Sequence, residues 1–204
     1  MSSRFLTAVG PTRLYPLTDR LISGLSHEEQ VERLARLGAT LIQLREKDLS
    51  AREFHSAAVA AVHSARKLNV KLIINDRVDI ALAVGADGVH LGQDDLSPDA
   101  ARRLLGPDSI IGISTHTVQQ ATVAARMPVD YVALGPIFPT RTKKAAEATV
   151  GLDGLRLVRQ GIGDIPLVAI GGIDSLSKAD VLEAGADCVS VISELWKPTA
   201  KIHR

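Results

Sequence analysis

The sequence is short of four things, and each shortage removes a class of protein. It has one cysteine, Cys188, in 204 residues, so no intrachain disulfide can form. No basic group precedes that thiol locally, which makes it a buried structural residue rather than a nucleophile and suits a reduced, cytosolic protein. Aromatic residues make up only 3% of the chain against 46% apolar residues in all, so the core must be built from Leu, Ile, Val and Ala. Charge of one sign is lacking too: 24 Lys and Arg face 23 acids, for a net charge of +1. A nucleic-acid binder would show a basic stripe with aromatics. No apolar run approaches the ~18 residues that span a bilayer, and the first ten residues hold only a weak apolar stretch without a signal-peptide pattern. Low-complexity segments and linkers are missing. The length suits one compact domain over residues 1–204, near the lower end for an eight-fold β/α barrel of ~200–250 residues.

What is present is alternation. Short runs rich in Leu and β-branched residues predict strands at 14–18, 40–44, 71–75, 88–91, 110–113, 131–134, 167–170 and 188–192. Most are almost wholly apolar, as expected of parallel strands buried on both faces. Helix signals lie between them. Ser26 with Glu29 and Ser50 with Glu53 form capping boxes before helices running to Leu37 and to about residue 68. Ser97-Pro98, Thr117 and Ser175 read as further helix starts, and a short helix is expected at 80–84. Leu37-Gly38-Ala39-Thr40, Val84-Gly85-Ala86-Asp87 and Ala184-Gly185-Ala186-Asp187 repeat one turn chemistry, in which glycine ends a helix and a small polar residue leads into a strand. Eight strands with helices between them favour a closed α/β barrel of the TIM type over a doubly wound open sheet. The few residues after Ser193 leave room only for a shortened closing helix.

Seven polar clusters follow seven of these strands: Gln43-Leu44-Arg45-Glu46-Lys47, Asn75-Asp76, Gly92-Gln93-Asp94-Asp95, Ser114-Thr115-His116, Thr140-Arg141-Thr142-Lys143, Gly171-Gly172 and Ser193. In a parallel barrel they share one rim. Arg45, Lys47 and Lys143 are cations suited to phosphate oxygens, unless Glu46 simply neutralises its two neighbours. Asp76 and Asp95, on adjacent strands ~5 Å apart, can share a magnesium ion with waters and a substrate phosphate. The plainer alternative pairs Asp76 with Arg77 and makes Asp95 a helix cap. Asn75 offers an amide to a heterocycle or phosphate. Ser114 lacks a nucleophile elbow and reads as a phosphate donor, and His116 is an acid–base candidate or a packing residue. Residues 135–150 form a long loop with the character of a lid. Thr140, Thr142, Gly172 and Ser193 make a second anion site, of the kind found after the last two strands of barrels. Two anionic ligands meeting at one rim suggest a transferase.

Taken in order, Leu14-Tyr15 with Thr18-Asp19, Gln43 to Lys47, Ile74-Asn75-Asp76-Arg77, Val89-His90-Leu91-Gly92-Gln93-Asp94-Asp95, Gly112-Ile113-Ser114-Thr115-His116, Gly135 to Lys143 and Ala169-Ile170-Gly171-Gly172-Ile173 resemble the thiamine-phosphate synthase family across nearly the whole chain. The resemblance implies a TIM barrel that joins a hydroxymethylpyrimidine diphosphate to a thiazole phosphate, releasing pyrophosphate. It assigns Gln43, Leu44, Arg45, Glu46, Lys47, Asn75, Ser114 and Lys143 to the pyrimidine diphosphate, and Asp76 and Asp95 to magnesium. Thr140, Arg141, Thr142, Gly172, Ile192 and Ser193 go to the thiazole phosphate. Arg45, Lys47, Lys143 and Ser114 would be the catalytic groups, acting on a leaving pyrophosphate in a dissociative substitution without a protein nucleophile. The partners implied are small molecules, not nucleic acid or membrane, and self-association is left open. Two rivals remain. A thiazole tautomerase on the same barrel would lean on His116 and need no metal, and a sensor would bind thiamine phosphates without turnover.

Overall fold

The computed structural model describes residues 3–140 and 148–196. Eight parallel strands close into a barrel in strict sequence order: β1 (Leu14–Thr18), β2 (Leu41–Leu44), β3 (Lys71–Asn75), β4 (Gly88–Leu91), β5 (Ile110–Thr115), β6 (Tyr131–Leu134), β7 (Leu167–Ile170) and β8 (Cys188–Val191). The helices are α1 (Arg4–Val9), α2 (Arg20–Ser23), α3 (His27–Arg36), α4 (Ala51–Lys67), α5 (Val78–Val84), α6 (Pro98–Leu105), α7 (Val118–Ala124), α8 (Gly151–Ile162) and α9 (Lys178–Glu183). The described chain ends in a 3-10 turn, Ser193–Trp196. The expected closed α/β barrel is therefore the fold, and each expected strand is found within two residues of its expected bounds.

Alternation along the strands builds two cores. Ile42, Leu44, Leu72, Ile74, Val89, Leu91, Ile111 and Val132 point outward and pack beneath the helices. Tyr15, Leu41, Ile73, Ile110, Tyr131, Val168 and Cys188 point inward and meet Phe5 and Val9 of α1. Full burial of such side chains contributes about 1.5–3 kcal/mol each, which holds the short strands together. Helix α1 was not foreseen: only Phe5 and Val9 of its six residues are buried, too few to give the sequence a clear period.

Local chemistry sets the helix boundaries. Ser26 and Ser50 each close a capping box, with Glu29 and Glu53, and Ser97 and Thr117 accept from the third helical residue. Ser175 does not cap α9. The Asp174 carboxylate instead accepts from Leu176 N and Ser177 N, making a turn that delays the helix to Lys178. Gly38, Gly85 and Gly185 all take positive φ, so the repeated turn is one backbone device. Its aspartate has a job at the next strand. Asp87 accepts from Leu72 N, and Asp187 from Leu167 N, while Lys71 and Arg159 balance their charges. Asp130 does the same for Ile111 N with Arg102.

Candidate active site

Because every strand runs the same way, the polar clusters collect at the carboxyl ends of the strands. The loop after β2 is the most heavily built part of this rim. Glu46, between the two cations, neutralises neither. One of its carboxylate oxygens accepts from Lys47 N and Asp48 N at 2.8 Å and Leu49 N at 3.3 Å. The other takes Arg20 Nε at 2.9 Å and His27 Nε2 at 3.1 Å. Burial raises the Glu46 carboxyl, but the hydrogen bonds from Asp48 N, Arg20, His27 and Lys47 N outweigh it and bring the pKa down to about 2.

His27 is wholly buried in α3. A carboxylate only accepts, so His27 Nε2 carries the proton. Its Nδ1 then accepts from Thr18 Oγ1 at 2.8 Å, and Thr18 Oγ1 accepts from Arg45 N at 3.2 Å. Desolvation holds the His27 imidazole below its usual range against the pull of Glu46. The loop is thus tied at both its backbone ends to one buried neutral histidine.

With Glu46 occupied, the cations find other acids. Arg45 Nη1 reaches Asp19 Oδ2 at 2.5 Å. Lys47 Nζ pairs with Asp76 Oδ2. Arg77 turns to Asp79 instead, so the plainer pairing of Asp76 with Arg77 does not occur. Asp76 takes a positive φ of 63°, and its N–H donates to His90 O at 2.8 Å. That fixes its carboxylate beside Asp95. Asp95 is not a helix cap either: it accepts from Gly92 N at 2.6 Å, and Ser97 caps α6. Desolvation raises the Asp95 carboxyl, and the neighbouring Asp76 charge adds to that rise. Asp94 is exposed.

Two buried polar atoms lie just inside this rim without a partner, Gln43 Oε1 and Asn75 Nδ2. An orphaned acceptor and an orphaned donor on adjacent strands are costly unless something pairs with them. Leu44 is buried outward under the helices, so only its backbone can face a ligand. Ser114 Oγ is 2.8 Å from His90 Nε2. His116 Nδ1 donates to Gly135 O at 2.7 Å, and its own N–H is taken by Gln120.

Across the barrel, Ile137 N donates to Ile170 O and Phe138 N to Gly171 O, so the loops after β6 and β7 continue the sheet. Gly172 has φ +67°, and a Cβ there would stand 2.7 Å from Pro139 O and 2.8 Å from Phe138 Cβ. Thr140 follows at the end of that described stretch. The chain returns through Val150 N and Gly151 N, which donate to Pro136 O and Ile137 O. Arg141, Thr142, Lys143 and most of the expected lid lie outside the described residues. Ile192 is half-buried and Ser193 exposed at the start of the 3-10 turn.

Fold and rim together define a (β/α)8 barrel enzyme of the anion-handling kind, with cations, paired carboxylates and glycine-lined backbone at one mouth. The comparisons make this specific. The family model described as thiamine monophosphate synthase matches residues 14–195. A thiamine-phosphate synthase from Chloroflexus aurantiacus is 49% identical over 89% of this chain and 83% of its own length. One from Clostridium novyi is 47% identical over 91% of both. The solved thiamine phosphate pyrophosphorylase from Pyrococcus furiosus superposes with a TM-score of 0.81 at 35% identity, covering 91% of this chain and 88% of that one. The chain belongs to the thiamine monophosphate synthase family.

Sequence reasoning gave no role to Asp19, Arg20 or His27, which support the β2 loop. For His90 the signal was a polar residue inside an otherwise apolar strand. For Asp19 it was an acid directly after β1.

Proposed function

We propose that this chain joins a hydroxymethylpyrimidine diphosphate to a thiazole phosphate, giving thiamine phosphate and pyrophosphate. The observation that carries the reading is the gathering of Lys47, Asp76 and Asp95 beside Arg45 at the ends of β2 to β4, next to the unpaired Gln43 Oε1 and Asn75 Nδ2. An unpaired carbonyl and an unpaired amide N–H suit the amino group and ring nitrogen of an aminopyrimidine.

Magnesium fits the donor set. Two carboxylates are crowded together, with Asp95 raised by burial and by its neighbour, and Lys47 offsets them. No group of three or more His, Cys, Asp or Glu suited to a metal exists among the described residues. An ion held by Asp76 and Asp95 would therefore take its remaining ligands from water and substrate phosphate, as magnesium commonly does. Bound there, it would neutralise diphosphate charge and favour departure of the leaving group.

The chain's own residues do the rest. Arg45, Lys47 and Lys143 face the negative charge that grows on pyrophosphate as the C–O bond breaks and its electron pair leaves with oxygen. Ser114 donates to a phosphate oxygen. The amino group of the pyrimidine delocalises the positive charge on the methylene carbon, and the thiazole nitrogen then supplies the pair that forms the new C–N bond. Thr140, Arg141, Thr142, Gly172, Ile192 and Ser193 hold the thiazole phosphate in line. The lone buried thiol supports a cytosolic location.

The test is direct. Purified protein with both substrates and magnesium should release one pyrophosphate per thiamine phosphate, and chelation should stop it. Isomerisation of the thiazole without metal would instead identify a tautomerase, and binding without turnover a sensor.

A further inference from the structure

Beneath the substrate rim, five side chains from five strands form an unbroken hydrogen-bonded chain across the barrel. Gln43 Nε2 donates to Tyr15 Oη at 3.1 Å. Tyr15 Oη lies 3.0 Å from Tyr131 Oη, Tyr131 Oη 2.8 Å from His90 Nδ1, and His90 Nε2 2.8 Å from Ser114 Oγ. The protein has only two tyrosines, and both are here.

Tyr131 is the middle link, and the fold is shaped around it. Its ring is fully buried. Phe5 stacks on it with centroids 4.0 Å apart, and the His90 ring lies nearly parallel on it at 5.5 Å. A Cβ at position 112 would stand 2.0 Å from Tyr131 Cζ, so Gly112 leaves the space that the ring fills. Burial pushes both phenols well above their usual pKa, so each keeps one proton to give and lone pairs to receive.

With Gln43 Nε2 as donor, one order leaves no buried phenol proton without an acceptor. Gln43 Nε2–H donates a hydrogen bond to the Tyr15 oxygen, so the buried Tyr15 hydroxyl has the Tyr131 oxygen as acceptor for its own proton. Tyr131 in turn donates to His90 Nδ1. A neutral imidazole that accepts at Nδ1 carries its proton on Nε2 and donates it to Ser114 Oγ. The Ser114 proton is left to point at a ligand. At the opposite end, Gln43 presents its Oε1 as a bare acceptor. Reversing the chain would need the Gln43 amide turned over and Ser114 turned from accepting the His90 Nε2 proton to donating to that nitrogen.

We infer that Tyr131 is a positioning residue for the coupling reaction: without touching substrate, it holds His90 as the Nε2–H tautomer and so presents a donor at Ser114 together with an acceptor at Gln43. The meaning of the two ends rests on the synthase reading, since an acceptor suits an amino group and a donor suits an anionic diphosphate oxygen.

The experiment uses the full chain labelled with 15N-histidine. Nitrogen chemical shifts of wild-type protein should report His90 as the Nε2–H tautomer. In Tyr131→Phe, His90 should shift toward the other tautomer, and KM for the pyrimidine diphosphate should rise about tenfold as a buried acceptor loses its donor. The KM for thiazole phosphate should stay within about twofold, since the chain does not reach that site. An Nδ1–H tautomer in wild-type protein overturns the inference, and so does a folded Tyr131→Phe with wild-type KM. The wild-type spectrum decides the matter even if the variant does not fold. Protein that shows the Nε2–H tautomer but releases no pyrophosphate would sink the synthase reading while leaving the proton order intact.

Discussion

Asp19 divides its carboxylate between two tasks: Oδ2 holds Arg45 at 2.5 Å, and Oδ1 caps α2 through Leu21 N and Ile22 N. The helix cap therefore orients the guanidinium. Asp19→Asn keeps a competent cap but loses the charge pairing with Arg45. KM for the pyrimidine diphosphate should rise roughly 5–20-fold, the equivalent of about 1–2 kcal/mol, with little change in melting temperature. Steady-state kinetics beside a thermal melt checks this. An unchanged KM would remove Asp19 from the site.

Glu46 predicts an acid limb. Its carboxyl sits at about 2 when folded, against 4.5 for the ordinary group. The folded state thus binds fewer protons than the unfolded state between these values. The stabilisation is complete above about pH 4.5 and disappears as pH falls toward 2, amounting to roughly 3 kcal/mol. His27, held below 6.5 by burial, acts in the same direction and begins to lose stability as pH drops below 6.5. Glu46→Gln should lower stability at neutral pH and flatten this limb in urea titrations across pH. An acid limb identical to wild type would show that Glu46 does not anchor the loop.

Asp95→Ala should cut magnesium-dependent coupling at least about a hundredfold, some 2.7 kcal/mol of barrier, and raise the magnesium needed for half-maximal rate. Pyrophosphate release across a magnesium titration reads both effects. Retention of full rate would end the assignment of Asp76 and Asp95 as ligands.

Lys143→Ala is expected to slow the reaction at least tenfold, about 1.4 kcal/mol, if its charge meets the leaving group. Rapid-quench measurement of the bond-breaking step is the suitable readout. A change confined to product release would assign Lys143 elsewhere.

At Gly172 alanine would need a positive φ and would press within 2.7 Å of the Pro139 carbonyl. The strain should cost about 1–3 kcal/mol. It should raise KM for thiazole phosphate and leave that for the pyrimidine diphosphate unchanged, because Gly172 lies across the barrel from β2. Equal effects on both substrates would argue against two separate anion sites.

The barrel was legible because its signals are local. Continuous apolar runs such as 71–75, capping boxes at Ser26 and Ser50, and glycines at 38, 85 and 185 each act over a few residues. The rim could be read for a related reason: a parallel barrel puts every strand's last residues at one end, so Arg45, Asp76 and Asp95 needed only correct strand bounds. The partnerships were not legible. Glu46 could as well have balanced Arg45 and Lys47, and only the pairing of β1 with β2 brings it to Arg20 and His27. Tyr15 and Tyr131 are 116 residues apart, and nothing near either one in sequence hints at a shared proton. Helix α1 escaped because two buried side chains in six make no readable stripe.

The seat of Phe5 and Val9 in the floor of the barrel has a bearing on traffic. With that end filled by Phe5 and Val9, the ligands of the proposed reaction would enter and leave at the opposite end, where the polar clusters lie. In the proposed reaction pyrophosphate would lie at that rim beside Asp76 and Asp95, nearer the exit than a pyrimidine held deeper against Gln43 and Asn75.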